Sequence, residues 1–339
     1  MLSRIGIYFD IGKRRVASLF GRGREVSAKS GFCCLSISSK EITLAYLEQK
    51  NGKNSLKLLE IIPYKINEGI SGVLTAAVKK YRLEGVNCSW VLHHSNYQLL
   101  QLDALPVTGA EFQAAIRWKI KSLLPFPIED AVIDSFSLPI QKTHEPHKMM
   151  MVTAARVSYL QTFSAKIIQS GLKLTTIDIP ELALRNITAL YENDEKATAL
   201  IYLERARGQL IITYKKVLYF QRLIEFGLES IKETEKGGGQ DEANVQLDKI
   251  ALELQRSFDY YQTQWRQPPI SRIFLATVES SSLPIISYLS QHLSMAIQPL
   301  DIHEMLASQF NLSIEMQGRF LPVIGGVLRD EDLDHAAAN

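Results

Sequence analysis

The chain writes one pattern twice, and that repetition constrains its fold more than any other feature. Residues 32–62 and 197–226 each read as three short strands in a row, leading into a helical stretch. In the first copy the strands are Phe32–Ile37, Ile42–Leu47 and Leu56–Ile62; in the second they are Ala199–Leu203, Gln209–Tyr214 and Val217–Ile224. These segments alternate apolar and polar residues or run continuously apolar, over lengths too short for helices. A strand meander followed by a helix, repeated further along one chain, predicts two similar α/β lobes facing each other across a cleft. Such a fold needs Asp and Gly at its first strand turns to clamp a nucleotide. These turns largely lack them, which favours a binding scaffold over an active enzyme.

A chain of 339 residues suffices for two modest domains with real cores. Hydrophobic and charged contents of 46% and 22% are those of a globular protein, and a net charge of +2 gives no footprint for nucleic acid. No window approaches the length of a membrane-spanning apolar run, and Met1–Ser30 lacks the apolar core of a signal peptide. Cys33, Cys34 and Cys88 are too few for a disulfide framework and read as small buried residues of a cytoplasmic protein. Residues 1–30 form a basic tail: Arg4, Lys13, Arg14, Arg15, Arg22, Arg24 and Lys29 face only Asp10 and Glu25. That excess suits a solvated terminus or an anionic membrane surface.

Between the two meanders, helices are expected at Gly72–Leu83, Ala110–Leu124 and Ser158–Ser170, with a short one from Pro180 to about Tyr191. Thr108 and Glu111 suit a capping box for the second of these, and Pro125-Phe126-Pro127 ends it. Its apolar residues Phe112, Ala115, Ile116 and Ile120 fall on one side, with Arg117, Lys119 and Lys121 largely on the other. Strands are expected at Val86–His93, Ala131–Leu138, Met149–Ala154 and Leu172–Ile177. The polar run Glu192–Lys196 is the candidate lobe boundary. Gly237-Gly238-Gly239 lies between acidic residues that repel a phosphate, so it reads as a linker. In the second lobe Val245–Gln264 carries Leu247, Ile250, Ala251, Leu254, Phe258 and Tyr261 as one apolar stripe. A strand at Arg272–Ala276, a helix near Leu283–Leu293 and an apolar stretch, Phe320–Leu328, complete it.

Four separated segments resemble the PilM-type proteins of type IV pilus assembly. They are Ala115-Ile116-Arg117-Trp118-Lys119 with Leu124-Pro125-Phe126-Pro127-Ile128-Glu129; Asp178-Ile179-Pro180-Glu181-Leu182-Ala183-Leu184-Arg185-Asn186; Leu254–Tyr261; and Gly325-Gly326-Val327-Leu328-Arg329. The first is most similar to the branch serving the mannose-sensitive haemagglutinin (MSHA) pilus. The resemblance covers roughly residues 31–329. It implies an actin-like (ribonuclease H-like) two-lobed α/β fold with an inserted subdomain of the FtsA/PilM type. The lobes would be residues 31–191, with the insertion at about 86–155, and residues 197–330, between tails at 1–30 and 331–339. It also implies a cytoplasmic protein, peripheral at the inner membrane, that binds the cytoplasmic tail of a PilN-like bitopic protein. Other pilus platform proteins and the assembly ATPase would be further partners.

In the family, ATP with magnesium can occupy the interlobe cleft. The resemblance places the first phosphate loop at Ser38, Ser39 and Lys40, the second at Glu204 and Arg205 with Arg207 beyond, and the adenosine loop at Thr277-Val278. None keeps the family's Asp or Gly, and the connecting helix starts Pro180-Glu181 where active members start Glu-Pro. These departures imply a scaffold with no bound cofactor and no ATP hydrolysis. Tyr8-Phe9-Asp10-Ile11-Gly12-Lys13 offers an alternative first loop, but no paired strand follows it. Two other readings stay open: an ATP-binding or hydrolysing relative, with Glu204 or Glu181 reaching magnesium, and the cytoplasmic component of a type II secretion platform.

Other chemistry is thin. His93 and His94 are expected to alternate across a strand and so not to share a metal. In His144-Glu145-Pro146-His147 the proline opposes the helix that would converge the imidazoles. Arg117, Trp118, Lys121, Pro125 and Phe126 cluster at one helix end and are the candidate partner-binding residues, with Trp118 read as a partly buried anchor.

Overall fold

The computed structural model describes residues 31–50, 53–65, 69–140, 148–192, 196–231, 240–265, 269–278, 282–306 and 310–329. The basic tail, the Asp10 turn, the triple glycine, the His144–His147 pair and most of the Glu192–Lys196 run lie outside them. The chain divides into two compact units. The first holds residues 31–138, 148–183 and 326 onward; the second holds 139–140 and 184–325 among the described residues.

In the first unit β1 (Phe32–Ile37), β2 (Glu41–Lys50) and β3 (Lys53–Pro63) form an antiparallel meander. After α1 (Ile70–Lys80) comes β4 (Asn87–Val91), parallel to β1. The fifth strand, β8 (Lys173–Asp178), is parallel to β4, giving the order β3-β2-β1-β4-β8. β1 has a neighbour on each side, which is why it reads as a nearly unbroken apolar run. Cys33 and Cys34 are fully buried on it, and Cys33 is the register partner of Cys88 on β4.

A separate three-stranded antiparallel sheet of β5 (Tyr97–Asp103), β6 (Ala131–Ser137) and β7 (Met149–Arg156) has β7 at its centre. Met150, Val152 and Ala154 of β7 form a small core with Ile116 and Ile120 of α2 (Gly109–Ile120), joined by Phe112, Leu124 and Phe126. The intervening Met151, Thr153 and Ala155 are also buried, so both faces of β7 are covered. β4 stays in the five-stranded sheet, so this layer starts near residue 97 and not near 86. The Thr108 side chain makes no capping bond, because the chain turns at Gly109 (φ 64°) and the box does not form. α3 (Val157–Gln169) follows β7 and ends at Gly171 (φ 102°).

The second unit repeats the first sheet. β9 (Ala197–Leu203), β10 (Gly208–Tyr214) and β11 (Val217–Ile224) form the meander, and β12 (Ile270–Thr277) is parallel to β9. The three-residue β13 (Ile297–Pro299) completes the order β11-β10-β9-β12-β13. All seven residues of β9 are buried. Here α4 (Pro180–Leu190), α5 (Gln240–Trp265), α6 (Ser282–Leu293) and α7 (Ile314–Val327) are the helices in chain order. The stripe read from the sequence is the packed face of α5: Leu247, Ile250, Ala251, Leu254, Phe258 and Tyr261 are all buried. Each such large apolar side chain contributes about 1.5–3 kcal/mol relative to exposure. The final apolar stretch is helical, as the end of α7.

The chain leaves the first unit within α4 and rejoins it at Gly326, so Gly326–Arg329 belong with the first unit and not with the second, as a boundary at 330 had placed them. Close approach explains the glycine: a Cβ on Gly326 would lie 2.3 Å from Cys34 Sγ. The Ser89 hydroxyl donates to the Gly326 carbonyl at 3.2 Å. Arg329 then donates to Asp178 Oδ2 at 2.8 Å, with the two side chains only 5% and 1% exposed. The other Asp178 oxygen accepts the Ile179 N–H, and the Asp178 carbonyl accepts the Leu92 N–H. Nearby on β6, burial raises the Asp134 carboxyl to about 7, opposed by the Ser135 N–H and the Arg329 charge.

Two outcomes follow from this junction. Arg329→Met strands the Asp178 carboxylate in the interior and should cost about 3–5 kcal/mol in urea unfolding; an unchanged midpoint would contradict the pairing. Asp134 holds its proton more tightly when folded than when unfolded. Its contribution to stability is therefore full at acid pH and is lost as pH rises toward about 7. Asp134→Asn should flatten that slope and be the more stable form at about pH 8, measured by urea midpoints across the range. A slope equal to that of the native chain would contradict the assignment.

Candidate functional site

The positions implied to contact nucleotide sit at the carboxyl ends of parallel strands, where α/β sheets place their ligands. In the first unit Ser38 follows β1. Its N–H donates to the Glu41 carbonyl at 3.0 Å, and its hydroxyl oxygen accepts from the N–H groups of Lys40 and Glu41 at 3.3 and 3.1 Å. Its carbonyl accepts the Tyr64 hydroxyl, and the Lys40 carbonyl accepts the Tyr64 N–H. A phosphate cradle aims consecutive N–H groups outward. Here three of them close a tight hairpin on themselves. Ser39 and Lys40 are exposed at its tip.

In the second unit Glu204 and Thr277 share one end of the sheet, because Thr277 is the register partner of Leu203. The turn from Glu204 to Arg207 is closed by the Glu204 N–H donating to the Arg207 carbonyl at 2.8 Å. Its outer carbonyls, on Glu204 and Arg205, accept the N–H groups of Leu228 and Glu229 at 2.9 and 2.8 Å. Burial raises the Glu204 carboxyl to about 6, and Arg207 draws it back down. Thr277 is 1% exposed and lies under α7. A Cβ on Gly318 would meet the Thr277 carbonyl oxygen at 1.8 Å, so the helix backbone rests directly on the strand end. The buried Tyr202 hydroxyl donates to the Gly318 carbonyl at 3.1 Å. The Val278 N–H is likewise taken by the Leu203 carbonyl at 3.2 Å. At these turns the N–H groups of Ser38, Lys40, Glu41 and Glu204 are paired within the protein, and the backbone of α7 lies against Thr277. Glu181, the other candidate for magnesium, is buried and accepts the Tyr97 hydroxyl at 2.9 and 2.7 Å.

The five candidate partner residues separate into two roles. Arg117 donates to the carbonyls of Ile128 (3.0 Å) and Ala131 (3.1 Å), and so clamps the proline turn onto α2. Phe126 packs on the small core beneath the Arg156 guanidinium, 4.8 Å from the ring centre. Lys121 and Pro125 face solvent, and Trp118 is 83% exposed. The expectation of a partly buried tryptophan is therefore wrong. Helical geometry supplies the reason: Trp118 lies two residues from both Ile116 and Ile120, about 200° around the axis from each.

His93 and His94 also differ from expectation. β4 ends at Val91, and His93 caps a 3-10 turn, His94–Asn96, with the two rings 3.9 Å apart. Among the described residues no group of three or more His, Cys, Asp or Glu converges on a metal position. The Asp178–Arg329 and Tyr97–Glu181 contacts escaped the sequence because they join residues far apart in the chain.

The paired sheets of one topology, with a three-stranded layer between β4 and α3, define an actin-like α/β fold. The chain has the PilM-like form of it. A chain of the PilM–PilN type IV pilus biogenesis complex superposes with TM-score 0.65 at 18% identity, over 87% of this chain and 97% of that one. The cytoplasmic domain of EpsL, from the type II secretion system of Vibrio cholerae, gives 0.45 at 12% identity, over 78% and 94%. A Bacteroides thetaiotaomicron protein with an actin-like ATPase fold gives 0.47 at 10%, over 88% and 98%. No protein-family model matches the chain, and neither does any curated protein. Among the described residues no helix is long and apolar enough to cross a membrane.

Proposed function

We propose that this chain is a cytoplasmic scaffold of the inner-membrane assembly platform for a type IV pilus, of the MSHA-serving (MshI-like) branch. It binds the cytoplasmic tail of a PilN-like bitopic membrane protein, and it does so without a working nucleotide site. The observation that carries this reading is the fold shared along nearly the whole length of both chains with a member of the PilM–PilN complex. The four segments in the family's order support it. Two of them, which begin at Asp178 and end at Arg329, meet in the buried ion pair that fixes the end of α7 to the first sheet.

The turn chemistry supports a scaffold over an ATPase. A catalytic phosphate loop needs free N–H donors, close backbone approach and a metal-organising carboxylate. The Ser38 turn uses its donors internally, and Thr277 is covered by α7. Partner recognition then carries the function.

A synthetic peptide of the cytoplasmic tail of the PilN-like protein from the same pilus locus should bind the full chain in the micromolar range, read by fluorescence anisotropy. A scrambled peptide should not. Equal binding of the two, or none by either to folded protein, would contradict the proposal.

A further inference from the structure

The segment after α2 alternates. Leu124, Phe126 and Ile128 turn inward onto the small core, whereas Leu123, Pro125 and Pro127 face outward. Leu123 is 51% exposed, and Trp118, five residues earlier at the end of α2, is 83% exposed. Trp118, Leu123, Pro125 and Pro127, all large or stiff apolar residues, are thus exposed along one short stretch of the first unit.

This stretch is held in place. Arg117 donates to the Ile128 and Ala131 carbonyls. The Leu123 N–H reaches Ile120 O at 2.9 Å, and the Asp130 N–H reaches Pro127 O at 3.0 Å. Arg156 covers the Phe126 ring. Little conformational freedom remains for a binding partner to remove. Charge adds a direction. From Phe112 to Ile128 the chain carries three cations, Arg117, Lys119 and Lys121, with the carboxylates Glu111 and Glu129 exposed just beyond its two ends.

We propose that this stretch is a membrane-contact site, which seats Trp118 and Leu123 in the headgroup layer of an anionic bilayer with Lys119 and Lys121 beside them. It rests on the reading that the chain works at a membrane face. Tryptophan favours the boundary between headgroups and acyl chains, where its ring is apolar and its N–H stays wet. Lysines extend their stems along apolar surface and leave the ammonium among lipid phosphates. A peptide ligand gains most from a groove. Lys121, Ser122 and Leu123 are instead exposed in succession. A single shallow contact of this kind is weak and reversible. It orients a protein that a bitopic partner already holds at the surface.

The test is co-sedimentation of the full chain with vesicles of phosphatidylglycerol and phosphatidylethanolamine, against phosphatidylcholine vesicles. The native chain should pellet with the anionic vesicles only. Trp118→Ser combined with Leu123→Ser should weaken that binding about tenfold, as should Lys119→Glu with Lys121→Glu. Both variants should keep the native circular dichroism. The proposal is overturned if the native chain fails to pellet, or if the Trp118/Leu123 variant pellets like the native chain. Loss of tail-peptide affinity in that variant, with vesicle binding intact, would make the stretch a protein-docking surface and overturn it as well. Failure of native tail binding alone would count against the pilus scaffold and leave the membrane contact standing.

Discussion

A buried ion pair, Arg329 on Asp178, sets the geometry on which the first unit depends. The two residues are 151 positions apart, and neither is more than 5% exposed. Removing two charges from water costs several kcal/mol each, a penalty that mutual attraction offsets only with good geometry and further hydrogen bonds. Asp178 has these: the Ile179 N–H takes its second oxygen, and Asp178 sits where β8 ends and α4 begins. The chain beyond Gly326 must therefore return to this point. Gly326 permits the return, since its backbone passes against Cys34 and Val91 where no Cβ fits. Breaking the pair costs more than the pair contributes, so it acts mainly to select one position for the end of α7.

Sheet and turns are each held by contacts of their own. The second five-stranded sheet is stabilised by its apolar strands and by the helix stripe of α5. The turns are free to change as long as their own polar groups are satisfied. In the β1–β2 turn a serine hydroxyl satisfies two N–H groups, and in the β9–β10 turn the segment at Leu228 caps the carbonyls. At Thr277 a helix backbone closes the strand end. These polar groups are thereby paired within the protein.

Much of the frame was legible because its signals are local. β1 was placed to the residue, since an apolar run ended by Ser38-Ser39 admits one register. The α5 stripe was read correctly because a three- and four-residue repeat over about four turns has a single packed face. Short or weakly patterned elements were missed: Tyr97–Asp103 mixes polar and apolar residues on both faces, and Ile297–Pro299 spans three residues. At the candidate site, residue identities marked the turns, but their closure by Tyr64 or by Gly318 depends on packing between distant segments. Arg117 illustrates the limit most clearly. It reads as an interface anchor by type, and its fork proves to be taken by two backbone carbonyls.

The central claim is that the sheets persist while the turns no longer receive a nucleotide. Titration calorimetry of the folded, full chain with ATP and magnesium at millimolar nucleotide and near-neutral pH tests it most directly. The account predicts no binding heat beyond dilution. Saturable binding in the micromolar range would contradict it, because the Ser38 hairpin or the covered Thr277 strand end would then have to open to admit the ligand.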